Sequence, residues 1–494
     1  MRSSLHALAA LGMACISLDS FSSARRFRVD PISCASDTPV ARLATPVLHV
    51  RRALTCLCAL PARCACRGAP LRLHNFDKFG RCGENDRHFV EFIGRFASFF
   101  VLELILGVPT LCPPFDAYNT HPSSGDKRMK IAIVGAGLIG HTIAHMLRET
   151  GDYEVVAFDR DADALAKLSR EGIATQRVDS ADATAIREAV KGCDALVNAL
   201  PYYLAVNVAA AAKAAGVHYF DLTEDVRATH AIRELADGSD HAFMPQCGLA
   251  PGFIGIAAHE LVNGFSEVRD VKMRVGALPE YPTNALKYNL TWSVDGLINE
   301  YCQPCEAIRD GRKQWVQPLE GLEHFSLDGT EYEAFNTSGG LGTLCETLSG
   351  KVETLDYKSV RYPGHRELVR FLLEDLRLSS DRDTLKSIMR RAVPSTKQDV
   401  VLVFVTVTGV KDGQLVQDVF TRKIFAKDVC GMHMSAIQIT TAGAMCAVLD
   451  LFREKKLPQS GFIPQEKVSL KAFLANRFGK LYDGGTMERM HALA

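Results

Sequence analysis

From Lys130 to about Gly276, short β-branched apolar runs alternate with alanine-rich stretches that carry Leu, Glu and Lys on a helical period. The apolar runs predict strands at Lys130–Val134, Glu154–Asp159, Thr175–Val178, Ala195–Ala199, Val217–Asp221 and His241–Met244. Ile139–Glu149, Ala162–Glu171, Ala181–Val190 and Ala205–Ala215 read as the intervening helices, because their residues lose little side-chain freedom on entering one. Six strands joined by helical crossovers imply an α/β fold of the Rossmann type, a doubly wound parallel sheet whose ligands sit beyond the carboxyl ends of its strands.

Past Gly276 the alternation gives way to longer mixed segments. Val400–Val410 and Leu415–Ala426 flank Lys411-Asp412-Gly413-Gln414, where the Asp-Gly pair supplies the positive φ of a tight hairpin. An apolar stretch at about His433–Phe452 predicts a late helix. The body therefore divides into a Rossmann domain at 129–255 and a second, mixed α/β substrate and dimerisation domain at 256–430, built on a largely antiparallel sheet. Residues 431–494 form a C-terminal helix and tail that pack back on the Rossmann domain.

Residues 1–128 show apolar bursts and Arg-Cys clusters such as Pro61–Gly68 without a sustained period, and read as a leader of no assigned fold. The expectation is an upstream extension dispensable for activity, with Met129 as a natural start. Met1–Ser20 has some character of a targeting signal, broken by His6. Glu103 interrupts the apolar run Phe96–Val108, which is shorter than the ~20 residues a bilayer requires, so no membrane span is expected.

The 494 residues balance 57 basic against 57 acidic side chains along the chain, which excludes the basic stripe of a nucleic-acid binder and favours a small soluble ligand. Eight of the fifteen cysteines precede Met129. Their lower density afterwards fits a reduced, cytoplasmic enzyme. Cys302-Gln303-Pro304-Cys305 is a lone C-x-x-C with no second pair, so no metal site is expected.

Gly135-Ala136-Gly137-Leu138-Ile139-Gly140 follows a predicted strand and opens a predicted helix, the context in which G-x-G-x-x-G cradles a dinucleotide pyrophosphate. Asp159 ends the second strand, where an acid accepts hydrogen bonds from the adenosine ribose and repels a 2′-phosphate. This favours NAD over NADP, a preference that the adjacent Arg160 softens. Asp179, Asn198, Ala199 and Leu200 lie in loops at the same sheet edge and are further candidates for the cofactor, and Tyr202 for the substrate. Asp221-Leu222-Thr223-Glu224-Asp225 and Gln246–Gly252 follow the fifth and sixth strands.

Together GAGLIG, Asn198–Tyr202 (NALPY), Asp221–Asp225 (DLTED) and Gly248–Gly252 (GLAPG) resemble the saccharopine dehydrogenase family. Tyr288-Asn289, Trp292–Gly296, Glu333–Gly340 and Arg361–His365 resemble its lysine 6-dehydrogenase branch, and the likeness runs from Met129 to Phe478. The resemblance implies oxidation of the ε-amine of L-lysine by NAD, giving an aldehyde that cyclises to a piperideine carboxylate with loss of ammonia. Other branches act on saccharopine or carboxynorspermidine. The family's cofactor loop carries over to Gly135, Gly137 and Gly140, and its substrate region to Tyr202, Asp221, Thr337, Ser338, Gly339, Gly340 and Arg361–His365.

Such an oxidation needs the amine to shed a proton from a group whose free pKa is ~10.4, so the cleft must hold a base. Asp221, Glu224 and His365 are the candidates. His365 is favoured as a proton relay, with a supporting histidine as the equal alternative, and Asp221 for ordering the nicotinamide ribose or the amine. Arg361 suits a two-pronged grip on the substrate carboxylate or is a surface arginine. Thr337–Gly340 offers backbone N–H groups to that carboxylate or is an ordinary loop. Tyr288, Trp292 and Tyr301 read as core or interface, with Trp292 bordering the substrate by the resemblance. The expected partners are a small amino-acid substrate and a second copy of the chain, in a homodimer or higher homo-oligomer. A non-catalytic dinucleotide sensor is the rival reading, and it would need neither the cleft carboxylates nor Arg361 and His365.

Overall fold

Six strands, β1 (Met129–Val134), β2 (Tyr153–Asp159), β3 (Ala174–Arg177), β4 (Ala195–Asn198), β5 (His218–Asp221) and β6 (Ala242–Met244), pair in parallel in the order β6-β5-β4-β1-β2-β3. The structure is a computed structural model that describes residues Arg128–Asp483; the leader, with its apolar runs and cysteine clusters, and the tail after Asp483 lie outside the described residues. Ile131 and Ile133 of β1 point into one core, and Ala132 and Val134 into the other. Burial on both faces is why these strands read as continuous apolar runs.

The crossovers are α1 (Leu138–Glu149), α2 (Ala162–Arg170), α3 (Ala183–Ala189), α4 (Ala205–Ala215) and α5 (Val226–Ala236). Helix α3 begins two residues later than its composition suggests, since the Asp182 side chain accepts hydrogen bonds from the Thr184 and Ala185 N–H groups and so caps the helix. Connections leave β1 and β4 in opposite directions, and the crevice at that reversal opens at the carboxyl ends of both strands.

Helix α6 (Phe253–Val262) leads out of this sheet into β7 (Glu267–Pro279). The rest of the second domain contains α7 (Val294–Cys302), β8 (Cys305–Arg309), β9 (Arg312–Val316), β10 (Glu323–Leu327), β11 (Thr330–Asn336) and α8 (Leu344–Leu348). These are followed by β12 (Thr354–Arg361), α9 (His365–Arg370), α10 (Arg382–Ala392), β13 (Asp399–Lys411) and β14 (Gln414–Phe425). Its main sheet runs β10-β11-β12-β7-β13-β14, antiparallel except where β12 lies parallel to β7. The β13–β14 turn places Asp412 and Gly413 at φ 52° and 75°, as the Asp-Gly signal predicts. Strand β7 hides a charge inside the fold: Arg274 is buried between the Asp356 and Glu323 carboxylates.

The late helix α11 (Ala436–Arg453) is long and apolar enough to cross a bilayer, yet nearly all of its residues are buried within the protein, as in a core helix. It packs against α1, where the Gln438 amide donates to Thr142 Oγ1 at 2.8 Å. At its far end the buried Asp450 carboxylate gathers three elements, accepting from Tyr153 of β2 at 2.7 Å, from Asn476 Nδ2 at 2.8 Å and from Arg477 Nη2 at 2.8 Å.

Burial alone would raise the Asp450 carboxyl, but the Arg477 charge and these hydrogen bonds outweigh it and hold the group below its ordinary value. Asp450→Asn should therefore lose about 3–5 kcal/mol in chemical denaturation at neutral pH. With the folded pKa depressed, the contribution is complete above about pH 4 and disappears as pH falls through the folded value, so wild type and variant should converge in acid. Equal stability at pH 7 would remove Asp450 as the clasp.

Candidate active site

Gly135 leaves β1 at φ 107°, and a Cβ there would stand 2.9 Å from the Ala199 carbonyl group. A Cβ on Gly140 would overlap the Gly135 carbonyl oxygen at 1.8 Å, so α1 can approach β1 only as glycine permits. Gly137, by contrast, faces open space, and with Leu138 it is exposed. Half-buried Ile139 turns toward the protein. No side chain caps the start of α1 and no acid sits in its first turn, so its N–H groups and partial positive charge remain available.

Asp159 closes this loop: Oδ2 accepts from the Ala136 N–H at 2.6 Å and Oδ1 from the Asp161 N–H at 2.9 Å. Open backbone at Gly137, an uncapped helix and an acid at the end of β2 fit a nicotinamide dinucleotide, with the pyrophosphate over Gly137–Leu138 and the adenosine ribose by Asp159. When bound, the group would supply a hydride acceptor.

Three of the other expected contacts serve the scaffold instead. The exposed Asp179 accepts from the Ala181 N–H at 3.0 Å and shapes the turn into α3. Asn198 is buried, donating to Tyr219 and accepting from the Leu200 N–H, so its side chain braces the β4 loop that carries Ala199 and Leu200. Asp221, expected to handle the amine or ribose, is 1% exposed. Its Oδ1 accepts from the Thr223 and Gln246 N–H groups at 3.0 and 2.9 Å, and its Oδ2 from the Tyr219 hydroxyl at 2.8 Å. Burial pushes this carboxyl up to about 6 while the backbone donors pull it down. It ties the loops after β5 and β6 beneath the cleft, a positioning role in place of the catalytic one.

Across the cleft, Arg361 at the end of β12 is 4% exposed. Its Nε donates to the Tyr301 hydroxyl at 3.0 Å and its Nη1 to the Val360 carbonyl at 2.8 Å. The guanidinium carbon lies 4.9 Å from the Tyr288 ring centre and 5.8 Å from that of Tyr301. Among the described residues no carboxylate oxygen comes within 4.0 Å of it. The aromatic trio is thus partly core and partly a cradle for this cation, and the Trp292 indole N–H fixes the Tyr288 hydroxyl at 3.1 Å.

His365 follows at the start of α9 and is also buried. Its Nδ1 bonds the Leu286 carbonyl oxygen at 2.8 Å, which requires a hydrogen on that nitrogen, so Nε2 accepts from the Tyr301 hydroxyl at 3.0 Å. Burial and then the Arg361 charge push its pKa down to about 3. With both nitrogens committed and the ring held neutral, His365 orients Tyr301, the arrangement of the supporting histidine that was the alternative to a proton relay. Glu333 sets the turn, its carboxylate accepting from Gly364 N–H at 2.8 Å and Arg366 N–H at 2.7 Å. The distant segments EAFNTSGG and RYPGH thereby meet as one unit.

The Thr337–Gly340 loop follows β11 into the same region. Thr337 shares a hydrogen bond with Ser359 at 2.8 Å, and the Ser338 N–H is taken by the Glu300 carbonyl at 3.1 Å, so that N–H is not free for a carboxylate. Gly339 adopts φ 90°, and a Cβ there would stand 2.2 Å from the Glu224 carbonyl oxygen. The loop therefore locks against the one after β5. Tyr202, half-buried at the entry to α4, lies near Glu224, Asp225 and Asp295.

Two carboxyls remain without an assigned partner. Glu224 Oε1 is enclosed and unbonded, and burial lifts this group to about 7. Glu300 of α7, which the sequence reading passed over, is 7% exposed and rises to about 8 through burial, against the pull of Arg361. An acid on the buried face of an otherwise apolar helix was its signal in the sequence.

Residues 131–242 match the family model described as saccharopine dehydrogenase NADP binding domain, and residues 248–481 match the saccharopine dehydrogenase C-terminal domain. Among solved structures, the chain is similar to apo histidine-tagged saccharopine dehydrogenase (L-Glu forming) from Saccharomyces cerevisiae. The identity is 16%, with 70% of this chain and 96% of that one covered and a TM-score of 0.59. A probable dehydrogenase from Thermotoga maritima aligns at 11% identity over 71% of this chain and 95% of its own, with a TM-score of 0.36. Likeness to the yeast enzyme at this identity speaks for the fold, whereas the family models span both domains. The chain belongs to the saccharopine dehydrogenase family, as an oxidoreductase of CH–NH groups that uses a nicotinamide dinucleotide.

Proposed function

We propose that the protein carries out the NAD-dependent oxidative deamination of a free amino acid, the ε-amine of L-lysine being the substrate group. The observation that carries this reading is the Arg361 guanidinium, buried with no carboxylate oxygen within 4.0 Å among the described residues, Glu300 acting on it only from farther off. A buried charge lacking a partner is costly, and a substrate carboxylate would supply the partner together with charge-assisted hydrogen bonds. Tyr301, Tyr288 and His365 hold the guanidinium in place for it. A module that merely sensed dinucleotides would have no use for that arrangement. The preference for NAD rests on the negative charge of Asp159, which is held in the loop by the Ala136 N–H.

A second reading within the family rests on Arg382. It also has no hydrogen bond or ion pair among the described residues, and it lines a cavity of about 380 Å³ that Tyr301 borders. It stands close enough to Tyr202 to bias its phenol. A second guanidinium there would suit a substrate with a further carboxylate, such as saccharopine.

Substrate-dependent NADH absorbance with L-lysine, saccharopine and carboxynorspermidine decides among these readings; L-lysine should be turned over, and inertness with all three would defeat the proposal. Arg361→Met should raise KM for the amino acid by about 30-fold or more, the equivalent of about 2 kcal/mol, and leave KM for NAD near its wild-type value. An unchanged amino-acid KM would exclude the anchor. Asp159→Ser should weaken both dinucleotides somewhat, through the loosened loop, but weaken NAD about tenfold more than NADP in direct titration, on the scale of one hydrogen bond to a charged group. Equal losses would take the specificity away from Asp159.

A further inference from the structure

Helix α7 turns one face toward the loop after β5. A Cβ on Gly296 would stand 3.0 Å from Glu224 Oε1, so that carboxyl rests directly against the first turn of the helix. Glu300 is four residues further along and therefore on the same face, one turn above. Between them Asn299, 1% exposed, ties α7 to the loop by donating to Asp225 Oδ2 at 3.4 Å while its own Oδ1 finds no partner. The two carboxyls thus lie close enough along this face for Glu224 to raise Glu300, and Arg361 acts on Glu300 with the opposite sign of charge.

We propose that Glu224 and Glu300 together form the seat of the substrate's reacting amine and accept its proton. This rests on the amine-oxidising reading above and adds the base that the committed geometry of Asp221 and His365 leaves open. An incoming ammonium favours the charged forms and displaces the pair's own protons to solvent, so that in the binary complex it meets two carboxylates; the proton transfer from nitrogen follows once the dinucleotide is also bound. One takes a proton from nitrogen, giving a neutral amine, a neutral carboxylic acid and a remaining carboxylate, with charge conserved. The freed lone pair then assists hydride loss from the adjacent carbon.

The electrostatic surroundings suit this task. Asp221, Asp225 and Asp295 add negative charge around Glu224, and Arg361 faces Glu300, with the Tyr288, Tyr301 and Tyr357 phenols and the Cys305 thiol nearby. With burial setting the two groups at about 7 and about 8, the pair is part-protonated near neutrality and ready to exchange a proton.

Infrared difference spectroscopy on the full chain at pH 7 tests the pair through the C=O stretch of protonated carboxyls. The band should shrink in Glu224→Gln and in Glu300→Gln, and in the wild type both n-pentylamine and L-lysine should remove the portion sensitive to those substitutions. L-Norleucine, which has the carboxylate and α-amine but no ε-amine, should leave that portion in place. Removal by n-pentylamine and not by L-lysine keeps the amine seat and defeats the lysine reading. The proposal is overturned if neither amine changes the band, if L-norleucine removes it as fully as L-lysine, or if folded Gln variants retain it whole. The amine additions to wild type decide the matter even where a variant fails to fold.

Discussion

A guanidinium withdrawn from water must be held by something, and in this protein the holding of Arg361 organises the second domain around the cleft. Tyr301 accepts its Nε hydrogen and passes its own hydroxyl hydrogen to His365, whose other nitrogen is fixed by the Leu286 carbonyl. Tyr288 lies beneath the cation, and Trp292 fixes Tyr288. These residues come from three stretches of chain, 286–292, Tyr301 and 361–365, so the cation is placed by the fold and not by one local motif. Such a network fixes the guanidinium in one place and leaves it little conformational freedom.

The two domains meet at the cleft through backbone as much as side chains. Gly339 admits the Glu224 carbonyl at a distance that no other residue would allow, and the Asn299–Asp225 contact repeats the tie one loop away. Behind the cleft, Asp221 binds the loops after β5 and β6, and Asp450 binds α11 and the segment after α12 (Leu470–Ala475) to β2. Carboxylates that look alike in sequence thus divide into two kinds. Asp221 and Asp450 are saturated with donors and act as fasteners, whereas Glu224 Oε1 is enclosed without a partner and burial raises both Glu224 and Glu300.

Much of the first domain was legible in the chain. Strands buried on both faces must be apolar throughout, crossover helices must be rich in strong helix formers, and a glycine loop between them has few other uses, so the parallel doubly wound class and the phosphate loop follow from pattern. The Asp-Gly hairpin was readable for the same local reason: the backbone conformation of two residues demands it. Strand β7 escaped notice because its alternation includes Arg274, whose charge is neutralised by carboxylates distant in sequence. Glu300 escaped because nothing in its neighbours says that the helix face bearing it will turn toward Glu224.

The chain by itself determined the strands and helices of the first domain, the dinucleotide loop and the Asp-Gly hairpin, since these depend on side-chain shape and spacing within a few residues. The tertiary structure alone decided which of those residues work on substrate. Proton affinity and hydrogen-bond capacity are set by what surrounds a group, and folding spent the donors on Asp221, lowered the His365 pKa, kept every carboxylate oxygen of the described residues beyond 4.0 Å from Arg361 and raised Glu224 and Glu300 by burial.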